Sequence, residues 1–231
     1  MWGATLPRPA AVVFDCDGTL MDSVAIVERA QDQVLSHYGR SVCTVEERAR
    51  IHAKSPADIA AVLAELTGVA AWDIEAMLVA QFTDPRAPMA RRLPGALVVV
   101  ELFARVLPIA VASNSNRDFL DQSLRQGQLD GLLKVRICAD DVERPKPYPD
   151  CYLAACRALG VEATDALAVE DSAVGARAAR AAGMAVLGVG PQAACLGADA
   201  YVRRLDDPRL HDWLQRWLPT TDTDAAAPRT P

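Results

Sequence analysis

Short runs of apolar and β-branched residues recur along this chain, separated by stretches with helical spacing, and that alternation restricts the fold more than any other feature. The runs are AAVVFD (10–15), PIAVAS (108–113), VRICAD (135–140), ALAVED (166–171), AVLGVG (185–190) and a weaker AYVRRL (200–205). Between them, residues 116–127, 149–159 and 173–182 read as helices, with Tyr152, Leu153, Cys156 and Leu159 on one face of the second. Strands that alternate with helices pair in parallel and are covered on both faces. The expected fold class is α/β, a Rossmann-like parallel sheet. A final helix with Leu210, Trp213, Leu214, Trp217 and Leu218 at i, i+3, i+4, i+7 and i+8 should pack on that sheet, its tryptophans in the core.

The alternation stops between residues 22 and 90, where helical patterns occur without a convincing strand. Val27, Ala30, Val34, Leu35 and Tyr38 mark one helix. Ser55-Pro56-Ala57-Asp58 supplies an N-cap, a proline at the first helical position and an acid in the first turn, before Ile59, Val62, Leu63 and Leu66 on one face. Residues 71–82 continue the pattern. The organisation expected is a core from 1–21 and 91–218, an inserted α-helical cap from 22–90 and a flexible tail from 219–231. An insert after the first strand lies over the carboxyl ends of the strands, where open α/β sheets bind ligands.

Composition narrows the partners. A net charge of −6 argues against a nucleic-acid or acidic-membrane binder, because phosphate backbones are held by a surplus of Lys and Arg. Six cysteines show no CxxC pair and no metal spacing with the three histidines, which suggests reduced thiols and a cytoplasmic location. The N-terminus shows no signal-peptide pattern. The longest apolar region, 93–113, is broken by Pro94, Glu101, Arg105 and Pro108 and does not suit a bilayer span. A monomer is the default expectation. The 24 basic residues include only three lysines, Lys54, Lys134 and Lys146, so each one draws scrutiny.

The strand ends carry polar residues of complementary type: Asp15 and Asp17, Ser113 and Asn114, Lys146 after the third strand, and Glu170 and Asp171. In a parallel sheet all of these emerge on one edge. Carboxylates gathered there repel by about 4 kcal/mol per close pair at an effective dielectric near 20. A divalent ion together with Lys146 would balance Asp15, Glu170 and Asp171 if Asp17 holds a proton. Carboxylates without His or Cys make a hard oxygen site, so Mg²⁺ is the expected ion.

These residues resemble the haloacid dehalogenase superfamily, in its phosphatase branch with a helical cap after the first strand. Four motifs stand in the family's order over about residues 10–218: DCDGT (15–19), SNS (113–115), the lysine of RPKPYPD (144–150), and VEDS (169–172). The resemblance implies a role for each. Asp15 would be the nucleophile that forms an aspartyl-phosphate, and Asp17 the acid that protonates the leaving alcohol and then the base that activates water. The Ser113 hydroxyl, the amide of Asn114 and Lys146 would hold phosphoryl oxygens, with Gly18 and Thr19 shaping the turn whose amides face them. Mg²⁺ would be bound by Asp15, the Asp17 carbonyl, Asp171 and, directly or through water, Glu170.

The resemblance implies a Mg²⁺-dependent phosphatase acting on a small phosphorylated metabolite, a sugar phosphate foremost, with sugar-phosphate phosphatases and β-phosphoglucomutase as the most similar types. Two alternatives stay open, a phosphomutase and a catalytically silent phospho-ligand-binding protein. Against the mutase, HAKSPADI places Pro56 where that enzyme has a cap arginine. Asp17 speaks against dehalogenase and phosphonate-cleaving chemistry, whose enzymes lack an acid there. An EF-hand reading fails because Thr19 and Leu20 stand where that loop wants Asp or Asn and Gly. In the cap, Lys54 is a candidate specificity residue, while Asp22, Ser23 and Asp150 read as helix caps.

Overall fold

The computed structural model describes residues 6–82, 84 and 90–216. Its main sheet has six strands: β1 (Ala11–Phe14), β4 (Ile109–Ala112), β5 (Val135–Ile137), β6 (Ala166–Glu170), β7 (Ala185–Val189) and β8 (Ala200–Val202). All neighbours pair in parallel, in the order β5-β4-β1-β6-β7-β8. Val13 of β1 lies opposite Ala110 on one side and Ala168 on the other, so the strand that ends in Asp15 is central and wholly buried. The chain winds outward from β1 through β4 to β5, then returns to place β6 against the other side of β1. That reversal of direction opens a crevice at the strands' carboxyl ends.

Alternation along β1 sends its side chains to two layers. Val12 and Phe14 face α5 (Ala96–Ala104), α6 (Arg117–Gln126) and α9 (Pro208–Gln215), packing with Phe103, Leu120, Leu124, Leu210 and Trp213. Phe14 meets Phe103 edge-on at 5.7 Å, and Phe103 meets Trp213 at 6.4 Å. Ala11 and Val13 face α7 (Asp150–Leu159) and α8 (Ala173–Ala181), where Ala155, Ala176, Ala178 and Ala179 let the helices approach closely. The expected strands all appear, each trimmed by one to three residues. Trp217, Leu218 and the tail 219–231 lie outside the described residues.

The insert is helical as expected: α1 (Val24–His37), α2 (Val45–Ile51), α3 (Pro56–Thr67) and α4 (Ala71–Phe82). They share one apolar cluster built on Val34, Leu35, Ile59, Leu63, Ile74 and Leu78. Ser55 caps α3 by accepting from the Asp58 N–H at 3.2 Å, and Gly68 ends it at φ +74. Two short pieces, β2 (Met21–Asp22) and β3 (Arg91–Arg92), pair antiparallel and form the two crossings between core and insert. Among the described residues no helix is long and apolar enough to cross a membrane. The six cysteines are free thiols, five of them buried.

Candidate active site

The central strand delivers Asp15 to the crevice at 7% exposure, and the first group it meets is Lys146. Lys146 Nζ donates to Asp15 Oδ1 at 2.7 Å and to Glu170 Oε1, at the end of β6, also at 2.7 Å. The loop that carries Lys146 is fixed by Asn114. The Lys146 N–H donates to Asn114 Oδ1 at 2.8 Å, and Asn114 Nδ2 donates back to the Lys146 carbonyl at 3.0 Å.

Glu170 is wholly buried and fully engaged. Tyr152 of α7 donates its hydroxyl to Oε1 at 2.6 Å, and its ring lies 4.8 Å from Lys146 Nζ. Oε2 accepts from the Ser172 N–H at 3.3 Å and its hydroxyl at 3.1 Å. Beside it, Asp171 closes a group of three carboxylates, with Asp15 and Glu170, whose ligand atoms lie within 4.8 Å of one another. Gly18, at φ +89, is required here because a Cβ would lie 2.0 Å from Asp171 Oδ2. Thr19 Oγ1 reaches Asp171 Oδ1 at 3.4 Å.

Electrostatics in this crevice are unbalanced. Asp15 is pushed up to about 7: burial raises it most, the ion pair with Lys146 pulls it down, and Glu170 and Asp17 push it up. Burial likewise raises Asp171 well above the ordinary carboxylate range, with Asp15 and Glu170 adding to the effect. Lys146 rises well above a normal lysine, since the attraction of Asp15 and Glu170 outweighs burial. One ammonium therefore faces three carboxylates, two of which resist ionisation. Among the described residues, Asp15 Oδ2 is the buried side-chain oxygen with no hydrogen-bond partner. An orphaned carboxylate oxygen within an acidic, oxygen-only donor set fits a hard divalent cation.

Asp17 is held apart from this group by three serines. Ser23 donates to Oδ1 at 2.5 Å, while Ser115 and Ser113 donate to Oδ2 at 2.6 and 3.1 Å. Ser113 is thus turned toward Asp17, and its oxygen accepts the Ser115 N–H at 2.9 Å. Sequence reasoning missed Ser115 and Tyr152, and it read Ser23 as a cap. Ser23 does precede α1, but its side chain makes no capping bond. A serine two residues beyond Ser113 was the available signal for Ser115. Tyr152 carried none, since its helical spacing reads as core. Asp150 is corrected as well: it is the first residue of α7 rather than its cap, and it pairs with Arg144 at 3.2 Å.

Over the crevice lies a cavity of about 430 Å³ between core and insert. Asp15, Asp17, Asn114, Lys146 and Asp171 form its floor, and Glu28, Gln31, Arg48, His52 and Lys54 its polar roof. Lys54 lines this cavity. Ile51, Ile59, Phe82 and Phe119 supply an apolar wall.

A parallel sheet with a helical insert over its switch point, and an acidic group beside a buried lysine, defines a capped Rossmann-like protein. The chain belongs to the haloacid dehalogenase-like hydrolase family, whose model matches residues 12–189. It is 30% identical over 195 residues to the fructose-1-phosphate phosphatase YqaB of Escherichia coli, covering 77% of this chain and 94% of that one. It is 30% identical over 215 residues to the plasmid phosphoglycolate phosphatase of Cupriavidus necator, covering 88% and 93%. Two longer Arabidopsis thaliana relatives, each 30% identical, are spanned over only 18% and 59% of their lengths. Among solved structures, CbbY from Rhodobacter sphaeroides superposes with a TM-score of 0.74 at 23% identity, over 85% of this chain and 95% of that one.

Proposed function

We propose that the protein is a Mg²⁺-dependent phosphatase that hydrolyses a small phosphomonoester, a sugar phosphate or related metabolite, through an aspartyl-phosphate on Asp15. The observation that carries this reading is Asp15 itself: Lys146 holds its carboxylate through Oδ1, and the buried Oδ2 has no protein partner, which leaves the group open to a cation and to a phosphoryl group. Residues 1–21 and 91–218 act as the core and 22–90 as the cap. The relatives named as phosphatases of fructose 1-phosphate and phosphoglycolate support the substrate class.

Asp15, Asp171 and the main-chain carbonyl of Asp17 would hold Mg²⁺, with Glu170 behind them. When bound, the ion supplies positive charge to the phosphoryl oxygens and to the carboxylates. The Asp15 carboxylate attacks phosphorus, and the bond from phosphorus to the ester oxygen breaks. Asp17 gives its proton to that leaving oxygen. Asp17 then takes a proton from water as the water attacks phosphorus, releasing phosphate and restoring Asp15. Lys146, the Ser113 hydroxyl and the Asn114 N–H hold the phosphoryl oxygens as negative charge builds on them. Ser113 must leave Asp17 to do so, which couples phosphate arrival to release of the acid.

The leaving group occupies the cavity beneath the cap, where Lys54 and the polar side chains around it contact its hydroxyls. The test is phosphate release from a panel of sugar phosphates and other small phosphomonoesters, with Mg²⁺ or EDTA, for wild type and Asp15→Asn. Mg²⁺-dependent release abolished by the substitution supports the reading. Interconversion of sugar phosphates without phosphate release, and only in the presence of a bisphosphate activator, would shift it to a phosphomutase.

A further inference from the structure

One contact joins cap and core through the residue that anchors Lys146. Asn114 Nδ2 donates to the carbonyl of Ala53, in the cap loop between α2 and α3, at 2.9 Å. The same side chain brackets Lys146, accepting from its N–H and donating to its carbonyl. Asn114 is 7% exposed, and its amide oxygen and nitrogen are all occupied by these three partners. Ala53 is unusual in turn. Its φ is +57, the left-handed region that disfavours any residue with a Cβ, and a conformation of that kind persists only where its surroundings impose it. Beside this contact, Phe82 of the cap packs on Phe119 of the core with ring centroids 5.2 Å apart, so the seam is in contact at both places.

We propose that Asn114 is a positioning residue that couples cap docking to the placement of Lys146. With the cap seated, Ala53 occupies one Asn114 donor and fixes the plane of the amide. That plane in turn fixes both main-chain groups of Lys146, and hence where its ammonium stands relative to Asp15. With the cap lifted, the amide loses its third anchor and the lysine loop loosens. The inference rests on the reading of Lys146 as a phosphate-holding cation, but the coupling itself is a property of the two loops and is measured without turnover.

The discriminating variant is Ala53→Pro. Proline forces φ to about −65°, which turns the Ala53 carbonyl away, and no hydrogen bond made by the Ala53 N–H is lost among the described residues. Hydrogen exchange is followed at residues 51–56 and at the Lys146 amide, which reports the hold of Asn114 directly. Losing one hydrogen bond of ordinary net strength corresponds to about a fivefold change in an opening equilibrium. The expected result is Lys146 exchange about fivefold faster in Ala53→Pro, together with a several-fold loss of kcat. Unchanged exchange at Lys146 beside a loosened cap loop overturns the proposal. A second measurement needs no variant: Mg²⁺ with inorganic phosphate added to wild type should slow exchange at 51–56 and at Lys146 in step, and independent responses overturn the coupling. If the phosphatase assay fails while the two loops still move together, the function is misread and the coupling stands.

Discussion

Gly175→Ala isolates the claim that Glu170 is locked in place. Gly175 lies in the first turns of α8, where alanine in place of glycine ordinarily stabilises a helix by about 1 kcal/mol. Here an added Cβ would stand 1.7 Å from Glu170 Oε1 and 2.0 Å from its carboxyl carbon, well inside the 3.0 Å below which something must shift. Glu170 has nowhere to go, since it is 0% exposed and bonded to Lys146, Tyr152 and Ser172. Displacing it leaves Lys146 with one of its two carboxylates, and breaking a buried pair costs roughly 3–5 kcal/mol. Set against the gain in helix propensity, the net destabilisation is about 2–4 kcal/mol. Urea unfolding of wild type and Gly175→Ala, with the slopes compared to confirm the same transition, measures it. A variant as stable as wild type, or more so, would refute the picture of a fixed Glu170.

Removing the cation should show the opposite charge defect. Lys146→Met leaves Asp15 and Glu170 buried without their ammonium, so unfolding in EDTA should cost about 3–5 kcal/mol less than for wild type, with Mg²⁺ restoring part of the difference. Stability should also depend on pH through Asp15. Its folded value of about 7 lies above the ordinary 3.8, so its contribution is fully present below pH 4 and lost as pH rises through 7. In EDTA, melts at pH 5 and pH 8 should show wild type losing more stability than Asp15→Asn, by up to roughly 2.5 kcal/mol. Parallel losses in the two proteins would contradict the assignment. Ser115→Ala removes the shorter of the two serine bonds to Asp17 Oδ2 and should change kcat more than KM, a split read from steady-state phosphate release.

Much of this architecture was legible because periodicity and punctuation agree. The strand at Ala11–Phe14 is apolar throughout and ends at Asp15, and Ser55-Pro56 announces α3 in the pattern expected of a capped start. α5 and α2 were not legible. ALVVVELFA is rich in β-branched residues and almost uniformly apolar, because α5 is packed between sheet and α9, and it starts from Gly95 without a side-chain cap. α2 is only seven residues long, and its signal is the Thr44–Glu47 capping box rather than a hydrophobic face. The acidic group and Lys146 could be anticipated from strand ends alone, since a parallel sheet brings those ends to one edge. The turning of Ser23, Ser113 and Ser115 onto Asp17 and the Tyr152 contact to Glu170 could not, although Ser113 itself and the serine two residues beyond it stood in the sequence. They depend on side-chain directions across three separate elements, and neither a serine in a turn nor a tyrosine on a helix face carries a distinctive pattern.

The central claim is that Asp15 becomes phosphorylated during turnover, and it can be tested by trapping. Asp17→Asn is mixed with Mg²⁺ and the best substrate from the phosphomonoester panel, quenched in acid within the first turnover, digested with pepsin and weighed by mass spectrometry. The account predicts that the peptide containing Asp15 gains the mass of one phosphoryl group, and that the gain disappears when Asp15 is also changed to Asn. A phosphoryl group on another residue, or substrate consumed with no labelled peptide, would contradict it.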